Sequence, residues 1–476
     1  MRPGLRAESL SFTYPGVPDR PLAGWSGALT FELAPAECLH IAGPTGCGKS
    51  TLARCLTGLI PHLYHGQLNG TVWIGDLRSD QAPLWQLSEI AGLVFQNPAA
   101  QMLAPTVEEE IIFGLENLGL PKAEIDCRVD DVLERFGLAG LRGRTPQTLS
   151  GGEQQKLALA AVAARRTPVL VLDEPLSMLD TTAAFDFVQH LAGWVAQGGA
   201  AAICEHRHEY LQAVPDLRLL PLDGHSELVP DLPGLELRLP AAPASCIVAK
   251  GLSVERGGRP VLQDLDLTLE GGQVTAIVGR NGAGKTTLLR ALAGLQPYQG
   301  ELAAWVDGRS ETPALGLVFQ NPDLQLFNAT VRQEILYRLP EADLELYQGL
   351  ITALDLERYE QTPPLLLSEG EKRRVALATL LVRRPPHGVL LDEPALGQDA
   401  AHKVLLMRLL QAVARQGQVV ALATHDIELA ACADRLILLD RAGFAASGPP
   451  QQVLAERSAW DRLGLRVPDW VMPCPG

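Results

Sequence analysis

Apolar residues in this chain gather into short, nearly unbroken runs rather than alternating with polar ones. Leu39-His40-Ile41-Ala42, Val169-Leu170-Val171-Leu172, Val274-Thr275-Ala276-Ile277-Val278 and Val389-Leu390-Leu391 are the clearest. Runs of this length and composition predict strands buried on both faces. Helix-like stretches separate them, so strands alternate with helices and a parallel sheet wrapped by helices is expected in each half of the chain. No run approaches the length of about 18 apolar residues that a membrane-spanning helix needs.

The polar residues that end these runs carry the chemistry. After the first run comes Gly43-Pro44-Thr45-Gly46-Cys47-Gly48-Lys49-Ser50, followed by Thr51. After the third comes Gly279-Arg280-Asn281-Gly282-Ala283-Gly284-Lys285-Thr286, followed by Thr287. Both fit the phosphate-loop pattern, and both stand between a predicted strand and a predicted helix, the setting that pattern requires. Glycines let backbone N–H groups close around phosphate oxygens, and the helix N-terminus adds partial positive charge. Lys49 and Lys285 are expected to reach the β- and γ-phosphates of ATP, and Ser50 and Thr286 to bind Mg²⁺. The other two runs end in Asp173-Glu174 and Asp392-Glu393. A buried strand would deliver Asp173 and Asp392 to the Mg²⁺ shell, and Glu174 and Glu393 could polarise the attacking water.

The motifs recur in one order at measurable offsets. Lys49 and Lys285 are 236 positions apart, and Gln96 and Gln320 are 224 apart. Ser150 and Ser368, which open Leu149-Ser150-Gly151-Gly152-Glu153 and Leu367-Ser368-Glu369-Gly370-Glu371, are 218 apart. Asp173/Asp392, Glu174/Glu393 and Asp180/Asp399 are each 219 apart. The chain is thus an internal repeat of two domains. The first half is 12 residues longer (236 against 224) between lysine and glutamine, around Ile60-Pro61-His62-Leu63-Tyr64-His65-Gly66, an insertion expected on a surface loop. Of the two histidines in Cys204-Glu205-His206-Arg207-His208, only His206 lies 219 positions from His425. His206 and His425 are therefore the matched pair, read as linking the γ-phosphate to the glutamate, and His208 is read as a solvated residue. His62 and His65 alone do not make a metal site. Prolines 230, 233, 240 and 243 mark a short, semi-stiff linker, so the domains are expected at 1–235 and 246–476 with residues 236–245 between them.

Charge and cysteines narrow the field further. A formal net charge of −15 argues against a general nucleic-acid surface. The N-terminal Met1-Arg2-Pro3-Gly4 opens without an apolar signal core, so export is not expected. Eight scattered cysteines with no C-x-x-C pair read as reduced thiols rather than a disulfide or zinc framework.

Taken together, these residues resemble the nucleotide-binding subunits of ABC transporters over nearly the whole chain. The Leu-Ser-Gly-Gly-Glu segment is the diagnostic element. The resemblance implies two tandem α/β phosphate-loop domains, each a parallel-sheet core with an antiparallel and a helical subdomain. It further implies an intramolecular head-to-tail sandwich. Site one would join Lys49, Asp173, Glu174 and His206 to Ser368 and Gly370; site two would join Lys285, Asp392, Glu393 and His425 to Ser150, Gly151 and Gly152. The repeated Q-N-P-x-x-Q (Gln96–Gln101, Gln320–Gln325) is similar to that of energy-coupling-factor ATPases, which power uptake of vitamins or of cobalt and nickel. In that group Gln96 and Gln320 would complete the Mg²⁺ site and sense a coupling helix from an integral membrane subunit. A substrate-binding membrane component and a peripheral place on the cytoplasmic face of the cell membrane are implied as well. Alternatives are the ATPase of an ordinary importer, or a soluble tandem protein acting on ribosomes. The acidic charge and the short linker speak against the latter.

Two departures from the family pattern stand out. Tyr14 occupies the place of the adenine-stacking aromatic, and its counterpart is Arg256, whose guanidinium plane can also stack on a base. Glu369 replaces the glycine that the first signature has at Gly151. A carboxylate about 4 Å from a phosphate charge, at an effective dielectric near 20, meets a repulsion of up to about 4 kcal/mol per unit charge. Either Glu369 turns away and offers only its amide, or site one is the weaker hydrolytic site. The expectation is unequal sites, with Glu393→Gln more damaging than Glu174→Gln.

Overall fold

The computed structural model describes residues 4–14, 27–222, 245–339, 341, 343–440 and 443–471. The chain divides into two compact units, Met1–Glu227 and Leu228–Gly476. The expected linker lies outside the described residues except for Ser245, which opens a strand.

In the first unit five strands form an all-parallel sheet in the order Ala91–Val94, Val169–Asp173, Ala200–Cys204, Cys38–Ala42 and Leu217–Pro221. Ala200–Cys204 is buried along its whole length and Val169–Asp173 at four of five positions, the condition of a strand covered on both faces. A four-stranded antiparallel sheet (Leu29–Leu33, Leu5–Thr13, Gln67–Ile74, Leu77–Arg78) packs with it into one core that includes Leu5, Leu39, Ile41, Leu52 and Leu56. The helices Val107–Glu116, Lys122–Arg135 and Gly151–Ala164 form the helical part.

The second unit repeats this plan. Its parallel strands run Leu315–Val318, Gly388–Asp392, Val419–Thr424, Val274–Val278 and Arg435–Asp440, with Gly443–Gly448 added antiparallel at the edge. Ser245–Arg256, Arg259–Glu270, Gln299–Val306 and Arg309–Glu311 make the antiparallel sheet. The stretch after Trp460 packs on this unit: Trp460, Leu463 and Leu465 belong to its core. Trp460 is 1% exposed and its indole N–H donates to Val453 O at 2.8 Å.

In the long insertion of the first unit Ile60 is buried, but Leu63 and Tyr64 face solvent. His62 is used structurally, with Nε2 2.8 Å from Ser79 O. Cys38, Cys47, Cys55, Cys127, Cys204 and Cys246 are free thiols. Cys432, by contrast, is disulfide-bonded, which corrects the expectation of reduced thiols throughout. Scattered spacing carries no information on such a pairing, because it depends on which segments the fold brings together.

Candidate functional site

Each unit gathers its reactive groups at the C-terminal ends of three adjacent parallel strands. In the first unit Asp173 pairs in register with Cys204, and Cys204 with Ile41. The carboxylates, the loop carrying His206 and the phosphate loop therefore emerge side by side. In the second unit Asp392 and Ile277 both pair with Ala423, which gives the same convergence. Ligand crevices in open α/β sheets form at such strand ends.

The phosphate loops turn into their helices through left-handed glycines. Gly48 (φ 96°) and Gly284 (φ 100°) stand directly before helices Lys49–Leu56 and Lys285–Leu292, a conformation that side chains resist. Lys49 Nζ donates to Gly43 O and Pro44 O, both at 2.9 Å. Lys285 Nζ donates to Gly279 O at 2.7 Å and Arg280 O at 3.3 Å. Both ammonium groups are thus held within their own loop.

Asp173 accepts a hydrogen bond from Ser50, and Asp392 accepts one from Thr286. Burial, reinforced by the adjacent glutamate, raises each aspartate from 3.8 to about 6. The Oδ1 atom of each is buried with no hydrogen-bond partner among the described residues. An orphaned anionic oxygen beside a hydroxyl suits a hard divalent cation, which would satisfy the oxygen and return the aspartate to its charged form. No group of three or more His, Cys, Asp or Glu among the described residues could hold a metal. A Mg²⁺ here would accordingly rest on one carboxylate and one hydroxyl and take its remaining ligands from phosphate and water, its usual habit.

Glu174 and Glu393 both adopt left-handed backbone, φ 48° and 51°. Non-glycine residues held there cluster at functional sites. Each is locked by its amide, Glu174 N to Cys204 O and Glu393 N to Ala423 O, both 2.8 Å. Burial alone would raise their carboxyls. The neighbouring histidine and loop lysine more than offset it, and both lie below the ordinary value. His425 Nδ1 is 2.9 Å from Glu393 Oε2. His206 Nε2 lies 3.3 Å from Glu174 Oε1, near enough for charge attraction but not aligned as a hydrogen bond. His208 is solvent-exposed and pairs with Glu209. Gln96 donates to Glu174 Oε2 at 2.7 Å rather than reaching Asp173; Gln320 makes no such bond to Glu393 among the described residues.

The rest of Q-N-P-x-x-Q has a structural job. Gln101 and Gln325 accept from the amides of Phe95 and Phe319, at 3.2 and 2.9 Å, closing the loop onto its strand. Glu110 then pins the amides of Leu103 and Ala104, and Glu334 those of Phe327 and Asn328. Leu103 (74%) and Phe327 (66%) are left facing solvent.

Ser150 and Ser368 cap the helices Gly151–Ala164 and Glu369–Val382 in reciprocal capping boxes with Glu153 and Glu371. Among the described residues the Ser150-Gly151-Gly152 segment makes no hydrogen bond to the phosphate loop or carboxylates of its own unit, and neither does Ser368-Glu369-Gly370. Tyr14 lies at the end of Leu5–Thr13, with its hydroxyl 3.3 Å from Thr51 Oγ1 and accepting from Arg54 at 3.1 Å. Arg54 in turn lies 4.6 Å over the ring of Tyr64, so the insertion buttresses the tyrosine. Arg256 ends its strand exposed, paired in register with Arg259.

The sequence reading missed Glu205 and Arg207. Glu205 accepts the amides of Leu176, His206 and Arg207 at 3.1, 2.8 and 3.0 Å. Arg207 Nη1 donates to Leu176 O and Leu179 O. Together they tie the loop after Glu174 to the loop of His206. The 219-residue offset sets Glu205 opposite Thr424, whose hydroxyl donates to Glu393 at 3.2 Å, and that mismatch was the available signal.

The profile of the ABC transporter family matches residues 27–177 and 262–396. A protein of Bacillus subtilis (strain 168) provisionally named HMP/thiamine import ATP-binding protein YkoD is 32% identical, over 95% of this chain and 93% of its own. A provisionally named ABC transporter ATP-binding protein of Treponema denticola is also 32% identical, over 89% of this chain and 92% of its own. Among solved structures an RNase-L Inhibitor aligns with TM-score 0.61 at 20% identity, covering 96% of this chain and 93% of that one. At that identity the likeness concerns the fold.

Proposed function

The chain belongs to the ABC transporter family as an ATP-binding protein with two tandem ABC domains, and from that premise we propose that it is the motor of an energy-coupling-factor importer. It is an ATPase whose cofactors are ATP and Mg²⁺, as is general for the family. The reading beyond this is ours: hydrolysis at two composite head-to-tail sites drives uptake of a vitamin or of cobalt or nickel through separate integral membrane subunits, at the cytoplasmic face of the membrane.

The observation that carries the catalytic part is the duplicated cluster of phosphate-loop lysine, orphaned aspartate and left-handed glutamate. In the proposed cycle Lys49 and Lys285 exchange loop carbonyls for phosphate oxygens. Ser50 with Asp173, and Thr286 with Asp392, would hold Mg²⁺, which would supply neutralisation of phosphate charge. Glu174 and Glu393, kept ionised by His206 and His425, take the proton of the attacking water. Gln96 and Gln320 would sense the membrane subunit, Gln96 through its bond to Glu174. Ser150, Gly151 and Gly152, and Ser368 and Gly370, would present helix N-terminal donors to the nucleotide of the opposite half. Tyr14 and Arg256 would stack on adenine. Covalent linkage keeps the halves at high effective concentration, favouring closure.

Support for a membrane partner comes from the rigidly presented Leu103 and Phe327 beside the Q-N-P segments, since exposed apolar side chains on pinned backbone are suited to receive a helix. The importer name of the Bacillus relative agrees in kind. The test is co-expression with candidate membrane subunits followed by reconstitution. Mg²⁺-dependent ATP hydrolysis that drives vitamin or metal uptake is expected. Failure to associate with any small integral membrane protein, together with stable binding to ribosomes, would overturn the transport reading.

A further inference from the structure

The second signature differs from the first by more than Glu369. The 218-residue offset aligns Glu369, Lys372 and Arg373 with Gly151, Gln154 and Gln155: one acid and two bases on one helix, three neutral residues on the other. The charged set is interconnected. Lys372 Nζ lies 3.6 Å from Glu369 Oε1 and 2.8 Å from Asp323 Oδ1. Arg373 Nη1 lies 3.9 Å from Glu369 Oε2, and the guanidinium donates to Leu396 O at 2.8 Å and Gln320 O at 3.2 Å. Both cations are buried, Lys372 at 8% and Arg373 at 5% exposure. Gln155, the counterpart of Arg373, has a buried amide with no partner among the described residues.

We propose that Lys372 and Arg373 are positioning residues that draw the Glu369 carboxylate back along its own helix, so that an acidic signature presents only its amide to the triphosphate. Glu369 and Gly370 are the first residues of that helix, where N–H groups lack intrahelical acceptors. An unrestrained carboxylate would cancel the positive end of the helix at the point where a phosphate is received. Lys372 and Arg373 reach it from the third and fourth positions along the helix, the spacing at which helical side chains meet. Arg373 also fastens this arrangement to the backbones of Gln320 and Leu396, so the restraint is anchored outside the helix. The inference rests on the reading that this helix N-terminus meets a nucleotide. It replaces the expectation of a weakened site one with a compensated one.

The test uses the full chain and its ATPase kinetics. Lys372→Gln/Arg373→Gln, which installs the residues of the first signature, should raise KM for ATP about tenfold through like-charge repulsion, and less so at high salt. Adding Glu369→Gly should return KM to within about twofold of the starting value. A purely structural role for the two cations would leave the triple variant as impaired as the double, and that result, or an unchanged KM in the double, overturns the proposal. Should the double variant fail to fold, Lys372→Gln alone keeps the Arg373 anchors and should show a smaller rise that Glu369→Gly abolishes; no rise, or no rescue, counts against the proposal in the same way. Ser368→Arg separates the levels. If it leaves ATPase activity intact, the composite-site reading itself falls; if it abolishes activity while Glu369→Gly rescues nothing, only the compensation is wrong.

Discussion

Asp173 and Asp392 should cost the nucleotide-free protein stability, and replacing them should recover it. Each carboxyl is raised from 3.8 to about 6, chiefly by burial and then by the neighbouring glutamate. Below about pH 3 the group is protonated in both folded and unfolded chains, and there is no penalty. As pH rises through 6 the folded protein must ionise a carboxylate whose Oδ1 has no partner, while the unfolded chain has already done so at no cost. A shift of that size corresponds to about 3 kcal/mol per group above pH 6. Asparagine keeps an acceptor for Ser50 or Thr286 and removes the charge. Asp173→Asn or Asp392→Asn should therefore stabilise its domain by roughly 2–3 kcal/mol at pH 7.5 in EDTA, on the order of 4–12 °C in Tm. Thermal unfolding followed from pH 3 to 8 is the assay: the gain should be small at pH 4, vanish near pH 3 and level off above pH 6. Saturating MgATP should stabilise the parent chain by about 2.7 kcal/mol at a hundredfold excess over Kd, and the asparagine variants far less. A variant less stable than the parent at pH 7.5, or a gain independent of pH, would refute the reasoning.

Three further outcomes follow from the same geometry. Glu174→Gln/Glu393→Gln should still bind ATP while turnover falls at least about a hundredfold in a coupled ATPase assay; with Glu369 paired off, the two single variants should lose activity equally, and a clearly greater loss for Glu393→Gln would restore the unequal-site expectation. Trp460→Ala should destabilise the second unit by about 3–5 kcal/mol, seen as a lowered denaturation midpoint, because the indole is fully buried and its N–H is satisfied by Val453 O. Leu103→Asp and Phe327→Asp should weaken co-purification with a membrane partner while leaving nucleotide binding unchanged, since both side chains face solvent.

What could be read in advance was whatever depends on local pattern. Continuous apolar runs identify strands of a doubly covered sheet because a buried strand has no polar face to show. Phosphate loops identify themselves because backbone geometry demands glycine at fixed spacing. A constant offset separated His206 from His208 before any coordinates, and the structure sets His206 beside Glu174 and leaves His208 in solvent. Contacts between segments distant in sequence were not legible. Arg54 joining Tyr14 to the ring of Tyr64, and the reach of Arg373 to Gln320 and Leu396, depend on packing that no period encodes. Gln96 illustrates the boundary: its importance was legible, its partner was not.

The loop that follows each left-handed glutamate must be held, since such a backbone persists only where its surroundings over-determine it. The two units meet that demand with unrelated residues. In the first, Glu205 and Arg207 reach Leu176 and Leu179 from the loop after Ala200–Cys204. In the second, Thr424 and Asp426 take the positions of Glu205 and Arg207, and Arg373 reaches Leu396 from the signature helix instead. The restraint on the glutamate loop is thereby tied to the histidine loop in one half and to the signature in the other. Motion of the second signature helix should then be felt at Glu393 through one guanidinium, whereas Gln155, which stands in its place in the first signature helix, has no hydrogen-bond partner for its amide among the described residues. The two sites can therefore share chemistry and still differ in what each one senses.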